Sequence, residues 1–332
     1  MPRVFFALFA LAATSACGSS ESAASATPDV DAGGSIADSG SAPVDAGGAV
    51  VDAGTSSGDA GVPGCDLAFR VQNTSAKVNA TSISAWTCAA GVRTMTGNGI
   101  PDHAVVGGNF ATPVGAQSLT VRFPLAPARG ATTTTPLRQA VGYVLNSVKL
   151  DPVTDGTCSS TATSTQRGGG CVAVMGRDPW NIEAMGGAFT FGTDENNAHT
   201  QPNGQYHYHG MPEGYVARQG SGARITLVGY AVDGFPVYAR YGYATATDAA
   251  SAVRVMKGSY RTKATPNAGR PSTTTFPMGT FTQDWEYVDG LGDLDECNGR
   301  TGVTPEYPQG TYHYYITDTY PFIQRCYKGT PL

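Results

Sequence analysis

Charge and histidine are both scarce in these 332 residues: Asp, Glu, Lys and Arg make up 14% of the chain, and there are five histidines. Between residues 18 and 64 there is no Lys, no Arg and no aromatic residue. Seven of the 26 acids (Glu21, Asp29, Asp31, Asp38, Asp45, Asp52 and Asp59) fall in that stretch, and Arg3 is the one basic residue before it. The net charge of −5 therefore belongs to the N-terminal part, and residues 65–332 are close to neutral. A neutral body has no basic field, which argues against nucleic acid and against binding an anionic membrane surface by charge. Nucleotide signatures are missing too: there is no dinucleotide-binding fingerprint and no P-loop, and Gly168-Gly169-Gly170 reads as loop. Residues 65–332 contain no Gly-x-Ser-x-Gly nucleophile elbow.

Long apolar runs are also lacking. The clearest is Val4 to Ala13, too short for a permanent membrane span. With Arg3 before it and Thr14-Ser15-Ala16-Cys17 after it, it reads as a secretory signal over residues 1–16. Small residues before a lone cysteine resemble a bacterial lipoprotein processing site, which makes Cys17 the expected lipidation site and membrane anchor. Thr14 stands where such sites usually carry Leu, and simple secretion is the alternative. Residues 17–64 read as an Ala/Gly/Ser/Asp-rich disordered linker. Its aspartates recur every seven residues, yet no apolar a/d positions support a coiled coil and the acids are too sparse to enclose calcium. An exported protein, cell-envelope lipoprotein or secreted, is the expectation.

Cys17 aside, the cysteines are Cys65, Cys88, Cys158, Cys171, Cys297 and Cys326. An even count in an exported chain reads as three disulfides, and proximity favours pairing each with its neighbour in sequence. No Cys-x-x-Cys pair points to a cysteine metal site.

What remains is dominated by turn residues, Thr and Tyr, and it predicts a mainly β fold: a disulfide-stabilised, antiparallel, sandwich-like β-rich domain over 65–332 with a few short helices. Strands are expected at Ser118 to Leu125 and Val141 to Leu150. Ile225 to Val232 and Phe235 to Tyr243 flank the hairpin turn Asp233-Gly234, and Pro236 argues for an edge position. Pro179 to Met185 and Asp248 to Met256 are the helix candidates.

Three of the five histidines fall within eleven residues: His199, His207 and His209. On a strand, His207 and His209 share a face, roughly 6–7 Å apart along the chain, while Tyr206 and Tyr208 point the other way. Neutral imidazoles at that spacing suit Zn²⁺ or Cu²⁺. Thr311-Tyr312-His313-Tyr314-Tyr315 echoes Gln205 to His209, and a strand beside the first would bring His313 to the same ion. His103, next to Asp102, is a candidate ligand, base or supporting group, and the pair supplies the catalytic candidates. Asp194, Glu195, Asp233, Asp295 and Glu296 leave calcium open as a competing, structural ion.

Tyr206-His207-Tyr208-His209 is the signature of the YHYH domain family, which the chain resembles over about residues 70–330. Asn98 to His103, Asp194 to His199, Asp233 to Tyr238, Leu294 to Gly299, Thr311 to Tyr314, Tyr320-Pro321 and Arg325-Cys326 extend the resemblance. It implies an exported protein and names no reaction. A metalloenzyme, a metal-handling protein without turnover, and a structural or adhesion module remain the three readings.

Overall fold

The computed structural model describes residues 61–332, apart from 135–138, 167, 174, 188 and 190. The expected signal sequence, Cys17 and the expected linker up to residue 60 lie outside the described residues. The Pro63 carbonyl, within the stretch expected to be linker, accepts hydrogen bonds from Arg93 and Tyr230.

Four strands, β1 (Leu67–Asn73), β2 (Ala80–Ala89), β3 (Val92–Gly97) and β4 (Leu119–Pro124), form an antiparallel sheet in sequence order. In β2 the inward side chains Ser82, Ser84 and Trp86 alternate with exposed or half-exposed ones, the period-two pattern of a strand with one wet face. Trp86 is fully buried, stacks 5.4 Å from Phe123 and donates its indole N–H to the Leu145 carbonyl at 2.9 Å. That bond joins the first sheet to the middle of a second one, and an aromatic buried to this degree contributes about 1.5–3 kcal/mol.

The second sheet has eight strands: β6 (Gly142–Val144), β7 (Lys149–Leu150), β11 (Ala198–Thr200), β12 (Tyr206–Tyr208), β13 (Thr226–Ala231), β14 (Pro236–Ala239), β19 (Gly299–Gly302) and β20 (Thr311–Ile316). Their order across the sheet is β11-β12-β7-β6-β13-β14-β20-β19. Most ladders are antiparallel, while β12–β7 and β14–β20 are parallel. Smaller ladders carry the excursions. These are β8 (Thr157–Cys158), β9 (Cys171–Val172) and β10 (Trp180–Asn181); β15 (Tyr241–Tyr243) with β16 (Val253–Val255); β17 (Tyr260–Thr262) with β18 (Trp285–Tyr287); and β5 (Thr133–Thr134) with β21 (Cys326–Tyr327). The disulfides are Cys65–Cys88, Cys158–Cys171 and Cys297–Cys326. No helix among the described residues is long and apolar enough to cross a membrane.

The mainly β expectation holds, but several elements differ. Val141 to Leu150 is a tight hairpin, β6 and β7, because Ser147 takes a left-handed φ of 66° and reverses the chain. Neither expected helix forms. Trp180-Asn181 is drawn into β10 against Thr157–Cys158, where burying Trp180 outweighs two turns of helix. Asp248 caps a turn through the Ala250 and Ser251 N–H groups, after which Val253 enters β16. Pro236 is not at a sheet edge; it opens β14, whose ladder with β20 begins only at Val237. The one α-helix among the described residues, α1 (Glu213–Arg218), follows the histidine stretch directly.

Candidate metal centre

Three local features build the site. Asp194 Oδ1 accepts the backbone N–H groups of Asn196 and Ala198, closing a turn that starts β11. Asn197 then holds a left-handed φ of 56°, a conformation Asn tolerates better than most residues. β11 pairs with β12 so that His199 lies directly opposite His207, and the His209 N–H donates to the Asn197 carbonyl at 2.8 Å. Strand alternation does the rest, sending His207 and His209 to one face and Tyr206 and Tyr208 to the other.

The three rings converge. Centroid separations are 4.6 Å for His199–His207, 4.9 Å for His199–His209 and 4.7 Å for His207–His209. One ring nitrogen from each lies within 4.8 Å of the others, and the Nε2 atoms of His199 and His209 are 3.1 Å apart. Three nitrogens at about 2.0–2.1 Å from a tetrahedral ion are about 3.3–3.4 Å apart; the His199–His209 pair is already near that spacing, and the other separations are no more than 4.8 Å.

The hydrogen bonds set the tautomers. Nδ1 of His199 faces the Phe191 carbonyl at 2.7 Å, and Nδ1 of His207 faces the Gln205 carbonyl at 3.2 Å. A carbonyl accepts only, so each Nδ1 carries the proton and each Nε2 keeps its lone pair. His209 Nδ1 is buried without a hydrogen bond of normal geometry, although the Asp151 backbone is close enough to favour its protonated form. Burial lowers the basicity of all three rings, strongly for His207 and His209, and mutual repulsion adds to it: the neighbouring His209 for His207, and His199 for His209. His209 Nε2 donates to the His199 Nε2 lone pair across 3.1 Å, and with that proton moved to Nδ1 the three imidazoles could hold a transition metal.

Charged groups that sequence reasoning passed over surround the rings. Lys149 stands opposite His207 in the parallel ladder, and its ammonium pairs with Asp151 at 2.7 Å. Asp151 is buried with Oδ1 unpartnered and acts electrostatically on His199. Glu183 and Arg325 form a buried pair at 3.0 Å, and Arg325 adds to the positive potential at His209. The parallel β7–β12 register is a long-range fact, and no local pattern announces it.

His313 does not join the cluster. β20 lies in the same sheet as β12, but β7, β6, β13 and β14 separate them, about 24 Å at the usual strand spacing. Its ring instead meets the Tyr315 hydroxyl at 3.0 Å and the Thr311 carbonyl at 3.0 Å. His103 and Asp102 lie with the tyrosines rather than the imidazoles. His103 Nε2 is 2.5 Å from the Tyr208 hydroxyl, and Asp102 accepts from Asn146 and faces Arg218. The tyrosines are packing residues with satisfied hydroxyls: Tyr206 donates to Asp194, Tyr314 to Asp233 and Tyr312 to Asp295. Asp194, Asp233 and Asp295 thereby have structural partners, and Glu296 pairs with Lys328.

No match was found among curated proteins or among solved structures. Residues 120–329 match the family described as YHYH protein, a span that contains the histidine cluster and both tyrosine-rich strands. The chain belongs to the YHYH protein family.

Proposed function

We propose that this protein binds a transition metal, copper or zinc, through His199, His207 and His209, in an exported or cell-envelope setting. The observation that carries the reading is the convergence of three neutral imidazoles, with His207 and His209 only 2% and 1% exposed. Burying three polar rings that repel one another's protonated forms costs stability unless an ion repays it. His207 and His209 supply the inner donors, and His199, half-buried, supplies the third from the neighbouring strand. A metal there would act as a Lewis acid or redox centre, and the deep burial favours retention of the ion over rapid exchange.

Export is supported by the signal-like start, by Cys17 in a lipoprotein-like setting, and by three disulfides, which persist in oxidising compartments. The linker would then hold the metal-binding body away from a membrane to which Cys17 is anchored.

Elemental analysis of protein purified from its export compartment tests the metal. About one ion per chain, lost in the double variant His207→Ala, His209→Ala, is the expected result. An ion-free wild type whose melting temperature does not respond to Zn²⁺ or Cu²⁺ would remove the reading. Mass spectrometry of the N-terminal peptide tests the anchor: diacylglycerol on Cys17 is expected, and an unmodified peptide starting elsewhere contradicts it.

A further inference from the structure

The eight-stranded sheet repeats itself. Val141 to Asp151 aligns without a gap on Val228 to Tyr238, both opening Val-Gly-Tyr. The two segments make the same hairpin, with Val144 N–H to Val148 O matched by Ala231 N–H to Phe235 O, both at 2.9 Å. Ser147 (φ 66°) corresponds to Gly234 (φ 92°). The hairpins meet at the centre of the sheet, where Tyr143 pairs with Tyr230. Leu145 N–H donates to Val228 O there, and Val232 N–H returns the bond to Val141 O. Reciprocal bonds of this kind are what a two-fold axis between the hairpins produces.

The outer hairpins obey the same axis. Asp194 Oδ1 caps Asn196 and Ala198; Asp295 Oδ1 caps Cys297 and Gly299. Asn197 (φ 56°) corresponds to Asn298 (φ 61°), and the His209 N–H bond to Asn197 O corresponds to Tyr315 N–H to Asn298 O. Tyr206 donates to Asp194 as Tyr312 donates to Asp295. β12 lies parallel to β7 as β20 lies parallel to β14. His199 faces His207 across its ladder, and Arg300 faces His313 across the corresponding one.

The three metal-binding positions therefore have counterparts: Arg300 for His199, His313 for His207 and Tyr315 for His209. They converge as the imidazoles do. The Tyr315 hydroxyl is 3.2 Å from Arg300 Nη2 and 3.0 Å from His313 Nε2. His313 Nδ1 faces the Thr311 carbonyl just as His207 Nδ1 faces that of Gln205. A guanidinium is a permanent cation, whereas three imidazoles have to take theirs from solution.

We infer that the sheet is an internal duplication whose second half is a latent metal site, with Arg300 as the resident cation where the first half takes a metal ion. The inference rests on the metal reading of the first half. Its test is the variant Arg300→His, Tyr315→His, which restores the imidazole set on an unchanged backbone. Both replacements are smaller than the side chains removed, so overpacking does not oppose them.

Zn²⁺ is the probe, with bound metal counted after dialysis of the full-length protein. Wild type should hold one ion, the double variant two, and the double variant carrying also His313→Ala one. A folded double variant that holds one ion overturns the duplication of the site while leaving the first-half centre intact. No ion in wild type or variant overturns both readings. Should the double variant fail to fold, the reciprocal exchange His199→Arg, His209→Tyr decides. The inference expects a folded chain without metal that melts within about 5 °C of the metal-free wild type, and an unfolded chain contradicts it.

Discussion

His313 is held neutral by its surroundings. Burial pushes its pKa down to about 4, the Thr311 carbonyl opposes the shift, and Arg300 adds to it. The unfolded chain takes up a proton near the ordinary value of about 6.5 while the folded chain does not. Its contribution to stability is therefore complete above that value and is lost as the pH falls from about 6.5 to about 4, a loss of about 3 kcal/mol. Denaturant titrations of the metal-free protein at several pH values should show this slope, and His313→Gln should flatten it by up to one proton; an unchanged slope would count against the burial argument. Glu296 gives a weaker effect at lower pH. Although burial opposes it, pairing with Lys328 at 2.6 Å and a bond from Thr132 hold its carboxyl at about 2. That contribution is present above about 4.5 and fades toward about 2, and because the pair is part-exposed it is worth about 0.2–1 kcal/mol. At this scale His207 and His209 were legible because alternation on a strand is a local rule, and His199 because the turn before His207 is short. Asp151 and Lys149 were not, since only the parallel pairing of β7 with β12 gives them their place.

The strands stand or fall on close approaches at the centre of the large sheet. A Cβ on Gly229 would come within 2.0 Å of the Tyr143 carbonyl oxygen, and one on Gly142 within 2.7 Å of the Tyr230 oxygen. Backbone cannot yield as a side-chain tip can. Gly229→Ala is therefore expected to cost more than about 3 kcal/mol. Gly115→Ala, whose nearest neighbour would be 3.8 Å away, should cost under about 1 kcal/mol. Chemical denaturation of the two variants side by side checks the contrast, and equal losses would contradict it. Local signals located β4 and the β13–β14 hairpin, since alternation and Asp233-Gly234 act over a few residues. They misplaced the helices because Trp180 and Val253 find partners across ladders, and ladder pairing outweighs weak helix propensity. The echo at Tyr312-His313-Tyr314 was real as a repeated strand, but its position across the sheet was not readable from resemblance alone.

For the whole molecule, three constraints act together: non-covalent packing of the hydrophobic sheets, covalent disulfides and the proposed metal. Cys65–Cys88 and Cys297–Cys326 span 23 and 29 residues, loops for which chain entropy gives about 3–4 kcal/mol each. Reduction should lower the melting temperature well below that of the oxidised protein, and calorimetry with and without a reductant measures it; identical transitions would mean that the crosslinks stabilise nothing. A metal bound only by the folded chain adds RT ln(1 + [M]/Kd), so the same transition should rise with metal concentration and stop rising in His207→Ala, His209→Ala. The most direct measurement is X-ray absorption on the metal-loaded protein. The account predicts three imidazole nitrogens at about 2.0–2.1 Å from the ion, a shell that disappears in the double variant. An oxygen-only or sulfur-containing shell, or one unchanged in that variant, would place the ion elsewhere and contradict the site.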